Sequence, residues 1–208
     1  MKRLSNDTIS RIFQPYGITA PVRLCDQIRA YIDLLLRWNQ RTSLTTVTDP
    51  EGILRFHFGE SLLAVSAVPI RHGRLADVGS GAGFPAVPIR MVCEGLSIIL
   101  IESNQKKATF LAEVARELQL QNVEVRRSRM EDVSFGDEPV DFVTARAVRI
   151  DDEFLAWSQR SLSPAGSLIL WLGEDHGSKI HERPGWKWAD PIRIPQSERR
   201  VILHGAGI

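Results

Sequence analysis

The segment DVGSGAGFP (77–85) sets Gly79, Gly81 and Gly83 just after an apolar run and just before Pro85, a residue suited to a helix's first turn. Glycines at this spacing leave room for a ligand to reach backbone N–H groups that side chains would cover. Such a turn at a helix N-terminus favours a negative group, because its amides lack intrahelical partners. The dinucleotide fingerprint G-x-G-x-x-G needs a third glycine at position 84, where this chain has Phe84. The spacing here is G-x-G-x-G, with Asp77 ahead of it. Glu102 closes the next apolar run, LSIILIE, where a carboxylate can accept hydrogen bonds from both hydroxyls of a ribose. Glycine turns and strand-end carboxylates are each common. In order on one β–α–β unit, they point to a nucleoside-containing cofactor. S-adenosylmethionine (AdoMet), with a carboxylate and an ammonium but no pyrophosphate, suits the turn better than a nicotinamide dinucleotide.

Other chemistries find no residues to carry them. Cys25 and Cys93 are the chain's two cysteines, too few for a disulfide framework or a cysteine-rich zinc site. Cys93 sits in VCE and lacks the Pro-Cys context of a cytosine-C5 nucleophile. TARAV occupies the place where exocyclic-amine methylation uses an Asn/Asp-Pro-Pro-aromatic loop. No His-x-x-His, His-Glu-x-x-His or paired CxxC marks a metal site. His57 reads as a packing residue, and Trp171, Trp186 and Trp188 as edge-strand packing.

The elements that must position these residues follow from periodicity. In LCDQIRAYIDLLLRWNQ, Leu24, Ile28, Tyr31, Ile32, Leu35 and Trp38 fall on one face of an amphipathic helix. A second helix around 50–66 has Asp49 as its cap and Pro50 at its first position. HGR (72–74) marks a turn, after which LADVG, LSIILIE, NVEVRRS, VDFVTA and GSLILWL predict five strands. PAVPIRMVC, NQKKATFLAEVARELQL and DDEFLAWSQRSL predict helices between them, with MEDV a short turn. Strands alternating with helices make a parallel sheet with right-handed crossovers. WKWADPIRIP and RRVILHG, joined near Gln196 and Ser197, predict an antiparallel hairpin at its edge. The expected architecture is an α/β doubly wound domain, residues 71–208, under an N-terminal helical cap, residues 1–70.

Composition agrees with a folded chain: 208 residues, 43% apolar and 25% charged, excluding disorder. No run approaches the roughly 18–20 apolar residues of a membrane span, and no apolar stretch follows the basic residues of MKRLSNDTIS. The cytoplasm is the expected location. With 26 basic and 25 acidic residues the net charge is +1, so total charge does not announce nucleic acid. Its distribution says more, since RRSR (126–129) and ARAVR (145–149) can contribute to a basic face.

The runs DVGSGAGFPAVPIR, IESNQKKATFL, NVEVRRSRMED and VDFVTARAV resemble, in order and spacing, the bacterial small-subunit rRNA methyltransferase G family, also called glucose-inhibited division protein B. WNQRTSLTTV and RFHFGES are similar to that family's WN…NLT and RH…DS segments, with Ser43 in place of Asn and Glu60 in place of Asp. Ala86 and Met130 also depart from the family's small residues, and similarity fades beyond Gly166. The resemblance implies a class I AdoMet-dependent methyltransferase with a Rossmann-like fold that methylates N7 of a guanine in 16S rRNA, alone or in the small subunit. It implies no membrane, and no protein partner is inferred. It places Gly79 and Phe84 on the AdoMet site and Met130 and Glu131 beside the adenosine. Arg146 becomes a binding arginine near the reacting centre, and Arg129 a matching basic position. Arg129, Arg146 and Arg149 are expected to form an RNA-facing rim. An ion pair of Arg146 with Asp141 or Glu131 is the alternative use of that side chain. A binding module without turnover, or a nicotinamide-dependent oxidoreductase, are the alternative functions.

Overall fold

The computed structural model describes residues 4–208; Met1–Arg3, the start of the basic N-terminal segment, lie outside the described residues. Among the described residues no helix is long and apolar enough to cross a membrane, and no cluster of acidic, histidine and cysteine side chains could hold a metal.

The cap contains α1 (Asn6–Phe13), α2 (Val22–Asn39), α3 (Pro50–Ile53) and α4 (Glu60–Ala67). The stripe expected on α2 is buried, including Leu24, Ile28, Tyr31, Ile32 and Leu35. Asp49 caps α3 as anticipated, its carboxylate accepting from the Gly52 N–H at 2.6 Å. Between α3 and α4 the helix widens into a π-turn, Leu54–Gly59, a feature the apolar spacing did not disclose.

Eight strands form one sheet in the order β3-β2-β1-β4-β5-β8-β6, with β7 also on β8. They are β1 (His72–Val78), β2 (Gly95–Ile101), β3 (Val123–Arg126), β4 (Val140–Arg146), β5 (Leu162–Gly173), β6 (Trp186–Trp188), β7 (Ile192–Arg193) and β8 (Arg200–Gly207). The first five pair in parallel, linked through α5 (Ala86–Val92), α6 (Gln105–Glu117) and α7 (Asp152–Ser161). Two expectations are corrected, and one element is new. His72–Arg74 is already strand, because β1 pairs with β2 from His72↔Gly95 and the Arg74 N–H is held by Asp141 at 2.8 Å. The hairpin forms through Ile192↔Ile202, but β8 runs inside the sheet, between β5 and β6. An unanticipated helix, α8 (Glu174–His181), follows β5; Gly177 lies so near Val201 that a Cβ there would come within 2.9 Å of its Cγ2 methyl.

Side-chain alternation along the strands separates two cores. Leu96, Ile98 and Leu100 face the cap, α5 and α6, in one continuous apolar cluster with Ile28, Leu35 and Phe58. Ile99, Ile101, Leu168 and Leu170 face α7 and α8 on the other side. The order reverses between β1 and β4. Ligands gather beyond the carboxyl ends of strands at such a reversal.

Candidate active site

Val78 is in register with Ala145, so the residues that follow, Gly79 and Arg146, lie side by side at the carboxyl ends of β1 and β4, at the reversal. The glycine turn is laid over the end of β2: the Gly79 and Ser80 N–H groups donate to the Ile101 carbonyl at 2.9 and 3.1 Å. Glu102 braces it from the side. Its Oε2 accepts from the Gly81 N–H at 2.9 Å and its Oε1 from the Asn104 N–H at 2.8 Å. A carboxylate has about four lone-pair sites, so this bracing leaves acceptor capacity for a hydroxyl.

The three glycines have positive φ, +68°, +54° and +86°, but serve different neighbours. A Cβ on Gly81 would meet only the Gly79 carbonyl oxygen, at 3.7 Å, so this is the open part of the cradle. At Gly79 a Cβ would collide with Val148. At Gly83 it would collide with the Tyr31 hydroxyl and lie 2.9 Å from Val87. The spacing predicts that Gly83 clears space for a ligand; its missing Cβ instead admits the cap. The Tyr31 hydroxyl donates to the Ala82 carbonyl at 2.5 Å. Sequence reasoning saw Tyr31 only as one apolar position on α2.

Asp77 and Phe84 also differ from expectation. Asp77 is wholly buried beneath the turn, and its Oδ1 accepts from the Thr144 hydroxyl at 2.7 Å. Its Oδ2 has no partner, and burial pushes the carboxyl up to about 7. With no exposed atom, Asp77 supports the turn from behind, joining the ends of β1 and β4. Phe84 is buried between cap and turn: its ring stacks on Tyr31 at 5.2 Å and on His57 at 4.8 Å, and meets Phe58 edge-on at 5.3 Å. Its side chain is thus committed to packing. His57 packs as the sequence predicts. Its Nε2 lies 2.7 Å from the Thr45 hydroxyl, and burial pushes it down to about 3, leaving the ring neutral.

Past β3, Met130–Asp132 form a single 3₁₀ turn. Met130 is half-buried against the second core, whereas Arg129 and Glu131 are exposed. Arg149 is exposed as well, with Nε 3.3 Å from Asp151, the N-cap of α7.

Arg146 turns toward the cap. Its Nη2 donates to the Phe56 carbonyl in the π-turn at 2.8 Å and lies 3.2 Å from Glu60 Oε2. Glu60 is 2% exposed at its side chain, and its Oε1 lies 2.7 Å from Arg200 Nη1 on β8. The Glu60 backbone carbonyl accepts from the Trp171 indole at 2.9 Å. One carboxylate thus joins a cap helix to two strands. The acid partner of Arg146 is therefore neither Asp141 nor Glu131: Asp141 is occupied by the Arg74 N–H, and Glu131 is solvent-exposed. Burial pushes the Glu60 carboxyl up, and the two guanidiniums oppose that shift. Arg146 keeps Nη1 buried without a partner. A positioned guanidinium with an unused donor can orient a planar acceptor or an anion.

Comparison with known proteins places the chain. The model of the family described as rRNA small subunit methyltransferase G matches residues 24–186. The chain belongs to this family. It is 35% identical over 201 residues to the ribosomal RNA small subunit methyltransferase G of Syntrophotalea carbinolica, covering 90% of this chain and 91% of the relative. The enzyme of that name from Halorhodospira halophila is 38% identical over 159 residues, 76% of this chain and 74% of its own. Among solved structures, an S-adenosylmethionine-dependent methyltransferase from Aquifex aeolicus aligns with TM-score 0.67 at 19% identity, over 80% of this chain and 97% of that one. The glycopeptide N-methyltransferase MtfA, complexed with S-adenosylhomocysteine, aligns with TM-score 0.59 at 11% identity, over 72% and 89%. These likenesses give the fold, a class I AdoMet-dependent methyltransferase. The residues present fit AdoMet on their own geometry: an open glycine at Gly81, and a braced carboxylate with spare lone pairs at Glu102.

Proposed function

We propose that this chain transfers a methyl group from AdoMet to N7 of a guanine in 16S rRNA, either naked or within the assembling small subunit. The observation that carries the reading is Arg146, held beside the glycine turn by Glu60 and Phe56, in a chain of this family. When bound, AdoMet supplies a methyl on a sulfonium sulfur; the N7 lone pair forms the new C–N bond as the C–S bond breaks, with its electron pair returning to sulfur. N7 bears no proton, so no general base is required. A guanidinium stays charged at working pH and cannot serve as one. Rate then depends on holding donor and acceptor about 3 Å apart in line.

In this reading the Gly79–Gly83 turn receives the methionine end and Glu102 the ribose hydroxyls. Met130 and Glu131 lie beside the adenosine. Arg146 orients the guanine through O6 or a neighbouring phosphate, and Arg129 and Arg149 face the RNA. Residues 1–70 act as the cap and 71–208 as the AdoMet-binding domain, in the cytoplasm where the RNA is. Mapping 7-methylguanosine in 16S rRNA from a deletion strain and its parent tests the proposal. One modified guanine should vanish on deletion and return on complementation. An identical modification map in both strains overturns it.

A further inference from the structure

Between the C-terminal end of α2 and the first turns of α6 lies an open groove of about 600 Å³, lined by Leu34, Arg37, Trp38, Arg41, Lys106 and Glu113, among others. Arg37, Arg41 and Lys106 supply three cations, and Glu113 is the one acid on its walls. Glu113 is itself engaged, its Oε2 accepting from the Trp38 indole at 3.0 Å. Among the described residues, none of the three cations has a carboxylate within 4.0 Å. Some arginines elsewhere on the surface do, as in Arg126–Glu124 and Arg193–Glu174.

Helix electrostatics explain only part of this arrangement. Arg37 lies in the last turn of α2, where a cation complements the dipole. Lys106 lies in the first turn of α6, where a cation opposes it, and that turn contains no acidic residue. The helix end itself is not the site, because Asn104 already accepts from the Lys106 and Lys107 N–H groups. The side-chain cations face an open groove, and they lack an anion.

The groove is linked to the glycine turn through α6 and a series of aromatic contacts. Asn104, which caps α6, donates its N–H to Glu102. Trp38 meets Phe110 edge-on at 5.7 Å, Phe110 meets Tyr31 at 6.4 Å, and Tyr31 stacks on Phe84. A run of aromatic rings therefore connects the groove wall to the glycine turn.

We infer that this groove holds a phosphodiester of the RNA strand flanking the reacting guanine, with Arg37, Arg41 and Lys106 as its ligands. The inference rests on the RNA-methylating reading above and adds a binding surface on the cap side of the cofactor. Cations that neutralise phosphates release counterions, so the salt dependence of binding counts them.

The test uses the full-length protein, in-vitro-transcribed 16S rRNA, and the variants R37Q, R41Q and K106Q, singly and combined. Filter binding across a salt series should give, for each cation removed, a log K against log salt slope shallower by about 0.7–0.9. The triple variant should bind about tenfold or more weakly near 0.15 M salt. Its KM for RNA should rise while kcat at saturating RNA holds. Calorimetric AdoMet binding and the melting temperature serve as fold controls, and Arg160→Gln, on α7 away from the groove, should leave the slope unaltered. A triple variant with parental slope and KM overturns the inference while leaving the methyltransferase reading intact. So does a triple variant that loses stability alone. A parental protein that neither binds nor methylates the transcript, naked or assembled with small-subunit proteins, overturns both.

Discussion

Replacing Glu60 with glutamine keeps the shape of the side chain and removes the one negative charge between Arg146 and Arg200. The carboxylate oxygens lie 3.2 and 2.7 Å from the two guanidiniums, and the Glu60 side chain is 2% exposed. Removing one partner of a buried pair costs about 3–5 kcal/mol, because the remaining charge stays desolvated. The site offers partial relief. Arg200, 37% exposed, can turn toward water, whereas Arg146, 17% exposed and tied to the Phe56 carbonyl, cannot readily follow. The expected loss is therefore reduced to about 2–4 kcal/mol. For a chain of this size, each kcal/mol lowers the melting temperature by roughly 2–4 °C. Single-turnover methyl transfer at saturating AdoMet and RNA should fall by about tenfold or more, since a mobile Arg146 orients poorly. Glu60→Asp retains the charge and should recover most of the rate, even where the shorter arm leaves some stability lost. That rescue separates positioning from mere structural support. Parental transfer by Glu60→Gln, or a loss below about 1 kcal/mol, refutes the claim that this carboxylate holds Arg146.

Three further outcomes are expected. Gly81→Val should abolish calorimetric AdoMet binding by filling the open side of the turn, with about 1–2 kcal/mol of backbone strain from the left-handed φ; parental affinity would move the cofactor elsewhere. Asp77→Asn should stabilise the protein by on the order of 1–3 kcal/mol at pH 8. The folded carboxyl titrates near 7 and its ordinary value is 3.8, so the folded state holds a proton that the unfolded chain releases between them. That contribution is full below 3.8 and lost as pH rises through 7, so the mutant's gain in melting temperature should grow between pH 5 and 8; an equal gain at both pH values rules out the assignment. Arg146→Lys retains charge without the planar fork, and single-turnover transfer should fall at least tenfold. Parental rates would reduce Arg146 to a point charge.

The sheet was legible because its strands are short apolar runs separated by well-marked helices, and α2 because its stripe keeps one period. Gly81 and Glu102 sit where their spacing puts them. What escaped depends on contacts between distant segments. α8 offers Ile180 as a buried apolar residue and carries Gly177 inside it, so no period announces it. The interior place of β8 comes from pairing, and a strand pattern does not name its neighbours. Arg146 has acids nearby in sequence, yet its partners come from α4 and the π-turn before it. The roles of Tyr31, Gly83 and Phe84 emerge only when the cap meets the turn, because an aromatic on an apolar face gives no sign of which glycine it will press against.

The apolar cluster shared by the cap and one face of the sheet has a consequence for synthesis. Ile28, Tyr31 and Leu35 pack with Phe84, Leu100 and Phe110, all supplied later in the chain. A nascent polypeptide emerges N-terminus first, so α2 leaves the ribosome with its greasy stripe facing water. It must wait until β1, β2 and α6 have followed. During that interval the cap is a target for chaperones and for other nascent chains. Fusions that delay or remove the sheet should therefore yield an aggregating fragment rather than a small helical domain.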